Sequence, residues 1–239
     1  MKRIALMVFR LLYIIPYWFP KLVHMSKSDK YTWKEKYDFL RQITVAANRA
    51  GRVTIDVHGE ENLPEKDGYI LYPNHQGMFD ALAIMESDPH PFSIVMKKEV
   101  KDIFFLKQVF AMVGAIPIDR EDVRQSMQVI LQVAKEVSEG RNFIIFAEGT
   151  RSRNGNELLP FKGGSFKSAM RAKAPIVPVA LIDSYVPFDR NTIRKTTVQV
   201  HFLKPICYEE YKNMKSTEIA EEVRSRIEKT IKENIKKEN

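Results

Sequence analysis

One cysteine, Cys207, occurs in 239 residues, so no internal disulfide can form and the chain suits a reducing, cytosolic setting. Cysteine-based zinc sites are excluded by the same count. The five histidines, His24, His58, His75, His90 and His201, recur at no ligand spacing, so no structural metal and no bound cofactor is expected. No stretch rich in Gly, Ser and Pro divides the sequence, which implies one well-buried core. Nothing resembles an RNA-recognition module, and nucleic acid is set aside as a partner. The net charge of +8 must then answer to another anion, either a bilayer surface or a phosphorylated small molecule. With 44% hydrophobic and 28% charged residues, the body of the chain is not an integral membrane bundle.

Long apolar runs are also scarce. The one candidate, Ile4 to Val23, has the length of a span but not the contents. Arg10 would sit near mid-bilayer at a cost of roughly 2.5 to 3.5 kcal/mol, and Pro16 and Pro20 interrupt a helix. Tyr13, Tyr17, Trp18 and Phe19 are residues that a membrane interface holds. Arg10 splits the apolar region and no Ala-x-Ala site follows, which disfavours a cleaved signal peptide. Three readings stay open: a monotopic helix lying in the interface, which the composition favours, a single span, and a buried structural helix. From Asp29 to Ala50, Trp33, Tyr37, Leu40, Thr44 and Ala47 recur at helical spacing between Lys and Arg residues, and Gly51 is the expected stop. Residues 1–50 are therefore read as an N-terminal membrane-associated helical pair, and residues 51–239 as the catalytic domain.

Past Gly51 the pattern alternates between strands and helices. Strands are expected at Val53–Val57, Tyr69–Pro73, Phe92–Met96, Ile116–Ile118, Phe143–Ala147, Ile176–Leu181 and Thr197–Phe202. Helices are expected from Lys101 to Val113, along a stripe of Val123, Met127, Ile130, Leu131, Ala134 and Val137, and along Ile219, Val223, Ile227, Ile231 and Ile235 with Lys236 and Lys237 in the last turn. The fold class is α/β, a mixed sheet flanked by helices.

The polar stretch Asn74-His75-Gln76-Gly77-Met78-Phe79-Asp80 follows directly on one of these strands. Removing a proton from an alcohol calls for a neutral imidazole held in one tautomer by an acceptor on its other nitrogen. Asp80 can be that acceptor for His75. By itself the stretch equally reads as a surface histidine followed by a helix N-cap. A second block, Glu148-Gly149-Thr150-Arg151, ends the buried strand Phe143–Ala147.

Together with Gly114-Ala115-Ile116-Pro117-Ile118-Asp119-Arg120 and Ile176-Val177-Pro178-Val179-Ala180-Leu181, these blocks resemble the glycerolipid acyltransferases, specifically the 1-acylglycerol-3-phosphate acyltransferase family. The likeness covers roughly residues 70 to 181. It implies transfer of a fatty acyl group from an acyl thioester, acyl-CoA or acyl carrier protein (acyl-ACP), to the sn-2 hydroxyl of lysophosphatidic acid. It also implies His75 and Asp80 as the catalytic pair and a location on the cytoplasmic face of the cell membrane, with an anionic membrane surface as partner. Other acceptors, glycerol 3-phosphate or another lysophospholipid, and a lipid-binding protein without turnover remain as alternatives.

Arg151 offers a planar fork for phosphate, Thr150 and the backbone around Gly149 add donors, and Glu148 can lock the fork; an ordinary loop ion pair is the competing reading. The resemblance points to Lys98 as a further phosphate ligand, against a solvated charge run. Arg120 can complete the set, or pair with Asp119, Glu121 or Asp122. The glycine-flanked helix start at Gly163–Ser165 can face a phosphate or an oxyanion. Ser165 is no nucleophile elbow, because Lys167 stands where the closing glycine is required.

Overall fold

Seven strands form one sheet in the order β1-β7-β6-β2-β5-β3-β4. They are β1 (Val53–His58), β2 (Ile70–Pro73), β3 (Phe92–Lys97), β4 (Ile116–Ile118), β5 (Asn142–Ile144), β6 (Ile176–Ile182) and β7 (Thr196–Phe202). The computed structural model describes residues 2–100 and 106–235; Lys101 to Phe105 at the start of one predicted helix, and Lys236 and Lys237, lie outside the described residues. β2, β3, β4, β5 and β6 run parallel, and β7 pairs antiparallel to β6 while β1 follows β7 in parallel. The sheet is mixed, as the sequence implied. Its consequence is that the loops leaving β2 to β6 all emerge at one edge, where crevices of α/β sheets bind ligands.

β2 and β6 lie inside the sheet and are buried along their whole length, which is why they read as unbroken apolar runs. Alternate residues serve opposite faces: Leu71, Val177, Val179 and Leu181 join one core, while Ile70, Tyr72, Ile176 and Ala180 join the other.

Three helices precede the sheet: α1 (Lys2–Leu11), α2 (Ile15–Lys27) and α3 (Trp33–Ala50). With α4 (Asp80–Ser87) and α5 (Leu106–Val113) they supply the first core, through Met7, Leu22, Tyr37, Leu40, Ile84 and Met112. The second core is closed by α6 (Val123–Ser138), α7 (Lys167–Ala172) and the C-terminal helix Ser216–Asn234. That last helix packs by Ile219, Val223, Ile227 and Ile231, while Ile235 at its end is 40% exposed. On α6 the expected stripe is corrected. The helix buries Val129, Val133, Ala134 and Val137 and leaves Val123, Met127 and Leu131 exposed. Apolar residues occupy two faces of α6, so periodicity alone could not choose between them.

The N-terminal run is not one helix. α1 and α2 meet at 97°, and among the described residues no single helix is long and apolar enough to cross a membrane. The break falls at Leu12–Ile14. Pro16 does not interrupt a helix but stands in the first turn of α2, where its missing N–H costs nothing; Pro20 lies within α2. α3 begins with a reciprocal capping box between Thr32 and Glu35, and Gly51 is its C-cap.

Arg3 of α1 is 1% exposed and points into the body, where Nε donates to the Pro187 carbonyl (3.1 Å), Nη1 to Gly51 (2.6 Å) and Nη2 to the Arg194 carbonyl and Thr196 Oγ1 (2.9 Å each). Arg10 donates to the Ala50 carbonyl at 3.2 Å. Met7 is buried beside Arg3, while Ile4, Val8 and Phe9 are exposed, as are Leu12, Tyr13 and Tyr17 beyond the helix end.

Replacing Arg3 with Met removes a charged donor from five acceptors, of which the Pro187 and Gly51 carbonyls are reached through buried bonds. Hydrogen bonds to charged groups contribute about 1.5 to 3 kcal/mol each, and water recovers some of them, so Arg3→Met should cost roughly 3 kcal/mol in denaturant unfolding. Limited proteolysis should cut first between α1 and α3.

Candidate active site

The chain leaves β2 through Asn74, whose side chain continues the sheet pairing: its Nδ2 donates to the Leu181 carbonyl (3.0 Å) and its Oδ1 accepts from the Leu181 N–H (2.7 Å). His75 is the next residue, placed at the mouth of the sheet's edge. Its Nδ1 lies 2.8 Å from Asp80 Oδ2. The same carboxylate accepts from Gln76 N–H (2.7 Å), from Gly77 N–H (3.0 Å) and from the Ser184 hydroxyl (2.7 Å, on Oδ1). With its oxygens committed to these donors, Asp80 can only accept from the imidazole. The Nδ1 nitrogen therefore carries the proton and Nε2 keeps its lone pair. Asp80 stands at the first residue of α4, where the helix dipole favours a negative charge.

The environment of the two side chains is unequal. The His75 side chain retains 20% exposure and Asp80 only 1%. The Phe146 ring stacks on the imidazole at 4.1 Å between centroids and fixes its plane. Nε2 is thus the end of the pair available to a substrate hydroxyl.

Glu148 does not lock the Arg151 fork, contrary to the expectation from sequence. Its carboxylate is buried and accepts from the His75 N–H (2.8 Å) and the Leu159 N–H (3.2 Å). A second tie, from the Ser152 N–H to the His75 carbonyl (2.9 Å), binds the same two loops together. Burial pushes the Glu148 carboxyl up to about 7, against the pull of the two N–H donors. An acidic oxygen pair so placed is no ligand for phosphate; it holds the backbone of His75.

Gly149 takes φ +74, a left-handed turn that a side chain would strain. That turn carries Thr150, which is exposed, and Arg151, which makes no hydrogen bond or ion pair among the described residues. The loop ion pair considered for Arg151 is absent there, and its fork is free for an anion. Lys162 lies over the same turn: a methyl group at Gly149 would meet its Nζ at 2.9 Å. Lys162 was not singled out from sequence, where it stood beside the more conspicuous Gly163-Gly164.

The remaining expected ligands are dispersed along the edge. Lys98 follows β3 and is paired with Asp119 at the end of β4, so its charge ties two strand ends together. Lys97 pairs with Glu99 at 2.9 Å. Arg120 is exposed next to them; it takes neither Asp119 nor Asp122, the latter being the N-cap of α6. Gly163 has a packing reason to be glycine: an added Cβ would lie 3.0 to 3.1 Å from the backbone of Ser216 and Thr217. It opens a single 3-10 turn, Gly163–Phe166, rather than a long helix with a free amino end.

Ser184 and Asn156 also bond to this loop and carry no local sequence signal. Ser184 lies two positions past β6 and reaches Asp80 across 104 residues of chain. Its N–H donates to Gln76 Oε1 (2.7 Å), and the Gln76 amide in turn donates to Asn156 Oδ1 (2.8 Å) and the Leu181 carbonyl (3.0 Å). Only the fold brings these together.

A mixed α/β sandwich that aims a carboxylate-held imidazole and an unpaired arginine from one sheet edge defines an acyltransferase-type site. Residues 54–182 match the family model described as Acyltransferase, and the chain belongs to that family. Among its relatives, the 1-acyl-sn-glycerol-3-phosphate acyltransferase of Salmonella typhimurium is 33% identical over 171 residues, 71% of this chain and 69% of that one. The yeast Saccharomyces cerevisiae protein of the same name is 32% identical over 75% of this chain and 60% of its own length. That from Borreliella burgdorferi is 33% identical over 62% of this chain and 59% of its own. The chain thus spans about three fifths of the length of the latter two relatives. The solved structure of the 1-acyl-sn-glycerophosphate (LPA) acyltransferase PlsC from Thermotoga maritima superposes with a TM-score of 0.79 at 17% identity, covering 99% of this chain and 98% of that one, and so shares the fold.

The Glu148 carboxyl is raised above the usual carboxylate value of 4.5, so the folded state holds its proton between about 4.5 and 7 and the unfolded state does not. Stability attributable to this group is therefore present at low pH and lost as pH rises through about 7. Glu148→Gln should remove that dependence: from pH 5 to pH 8 the variant should gain on the parent by up to about 3 kcal/mol in denaturant unfolding. Turnover should fall all the same, since a glutamine offers one acceptor to two N–H groups.

Proposed function

We propose that this chain transfers a fatty acyl group from an acyl thioester to the sn-2 hydroxyl of 1-acyl-sn-glycerol 3-phosphate, giving phosphatidic acid. The observation that carries the reading is the His75 Nε2 lone pair, held open by the Nδ1 to Asp80 bond of 2.8 Å, on the same edge as the unpaired Arg151. His75 takes the hydroxyl proton as the alcohol oxygen attacks the thioester carbonyl. The C–S bond then breaks, the ester forms, and the imidazolium returns the proton to the departing thiolate. Asp80 stabilises the transient imidazolium and keeps the ring in register, without a serine and without an acyl-enzyme. The acceptor's phosphate is held by Arg151 with Thr150 and the Gly149 turn, and Lys162, Arg120 and Lys98 add positive charge. Binding the phosphate at a distance from the hydroxyl turns an encounter into a positioned attack.

The donor is acyl-CoA or acyl-ACP, and no other cofactor enters the chemistry. A lysophospholipid presents its hydroxyl in the headgroup layer, so the enzyme works at the cytoplasmic face of the cell membrane as a peripheral or monotopic protein. The surface of α1 supports this reading, because Arg3 is bonded to the body and the exposed Ile4, Val8 and Phe9, followed by Leu12 and Tyr13, are apolar or aromatic, with Lys2 and Arg10 exposed beside them. The same chemistry on glycerol 3-phosphate or a different lysophospholipid is the neighbouring reading.

Thiol release from an acyl thioester, assayed with each acceptor in turn, separates these acceptors. His75→Ala should lower kcat by roughly 10²- to 10⁴-fold while the circular dichroism and unfolding curve stay near those of the parent. Retention of a tenth of the parent's turnover would remove His75 as the base. Arg151→Lys keeps the charge and loses the fork, so KM for the phosphorylated acceptor should rise more than KM for the thioester. The opposite split would reassign Arg151 to the donor's phosphates.

A further inference from the structure

Away from the His75 site, and sharing no residue with it, an open groove of about 800 Å³ lies between the end of α1 and the outer side of α3. Three arginines line it: Arg10, Arg41 and Arg49. Their charge is poorly offset. Arg10 Nη1 rests on the Ala50 carbonyl at 3.2 Å, and Arg41 Nη2 on the Glu86 carbonyl at 2.8 Å, so both donate to neutral oxygens. Arg41 Nε is buried with no acceptor among the described residues. Arg49 is exposed and has no hydrogen bond or ion pair there. The one acid lining the groove, Asp38, is held by Lys34 at 2.5 Å. The nearest other carboxylate, Glu86, accepts from Asn48 Nδ2 at 2.6 Å and takes the field of Arg41 and Arg49.

The groove is apolar as well as cationic. Leu11, Val45 and Ala46 line it, and Tyr13, which is 81% exposed, stands at its rim. Next to Tyr13 in the chain, Leu12 and, on α1, Phe9 and Val8 are exposed apolar side chains too. A free phosphate would use the arginines and leave this surface wet, and an acidic protein would leave it likewise uncovered. A molecule with an anionic phosphate head and hydrocarbon tails uses both. Guanidinium groups are weakly hydrated and grip phosphate through two N–H groups at once, which suits a headgroup at the edge of a bilayer.

We propose that this groove is a binding site for an anionic phospholipid of the bilayer, separate from the acceptor site, with the phosphate between Arg41 and Arg49 and the acyl chains over Leu11 and Tyr13. The proposal rests on the reading that α1 and α2 lie on a lipid surface. Seated there, the lipid fixes the bend between α1 and α2 against the membrane and sets the depth at which the His75 edge meets its acceptor. The ligand class includes the phosphatidic acid that the proposed reaction makes, so product left in the bilayer would strengthen attachment.

The test uses the full chain and sedimentation with vesicles of phosphatidylcholine alone or mixed with phosphatidylglycerol. The parent should bind both and prefer the anionic vesicles. Arg41→Gln combined with Arg49→Gln should reduce that preference about tenfold or more, on the scale of basic residues near an anionic surface, while binding to phosphatidylcholine and turnover on a short, water-soluble acceptor stay as in the parent. Gln42→Glu, an exposed lining residue without a bond to lose, should lower the preference in the same direction and guards against misfolding of the double variant. A charge-matched control, Lys27→Gln at the end of α2 with Lys30→Gln in the turn before α3, both outside the groove lining, should change it little. An equal loss in that control would overturn the site in favour of diffuse attraction. So would unchanged selectivity in both groove variants, or displacement of the parent by inorganic phosphate at concentrations that leave the control lysines' contribution intact. If the parent binds neither kind of vesicle, the membrane reading itself fails; if it binds both equally, only the groove does.

Discussion

A carboxylate buried to 1% exposure needs donors for its oxygens, and the satisfaction of Asp80 organises the catalytic edge of this protein. The donors come from three directions: the imidazole of His75, the backbone of Gln76 and Gly77, and the hydroxyl of Ser184 beyond β6. Each fixes something different. The backbone N–H groups set the curvature of the turn, Ser184 ties that turn to the neighbouring strand, and the imidazole receives its tautomer from what is left. A side chain so surrounded is held in one place, and the imidazole bonded to it is held with it.

The second carboxylate works the opposite way. Glu148 also bridges backbone N–H groups, but with only two donors its burial is incompletely repaid, and its carboxyl is raised to about 7. The loop carrying His75 and the loop carrying Arg151 are thereby held together at a cost in stability that grows as pH rises towards about 7. One acid stabilises the charge of the site and the other its shape.

At the other end of the molecule, the N-terminal helices share their core with the sheet through Met7, Leu22 and Met25. Arg3 is what orients α1: with its guanidinium bonded to five acceptors of the body, Val8 and Phe9 are left on the outward side of the helix. The exposed Val8 and Phe9 of α1, with Leu12 just past its end, make an apolar surface, and the arginine-lined groove at the α1–α3 junction borders it with charge.

The strands, the mixed α/β class and the His75 and Asp80 pair were legible in the sequence because each rests on neighbouring residues: apolar runs bounded by turns, and a base and acceptor five positions apart on one turn. The helical segment at the N-terminus was legible by composition alone, and its 97° bend was not, since the break falls in the apolar Leu12–Ile14 rather than at a proline. Side-chain pairing over long separations was invisible. Whether Arg151 is free, Lys98 committed to Asp119, or Glu148 turned toward the His75 backbone depends on which charges and donors the sheet order places side by side. Ser184 shows the limit most plainly: an ordinary serine past the end of β6 joins the His75–Asp80 pair only because β6 lies against β2, so the sequence determined which imidazole and carboxylate share one turn and the tertiary structure decided what holds them.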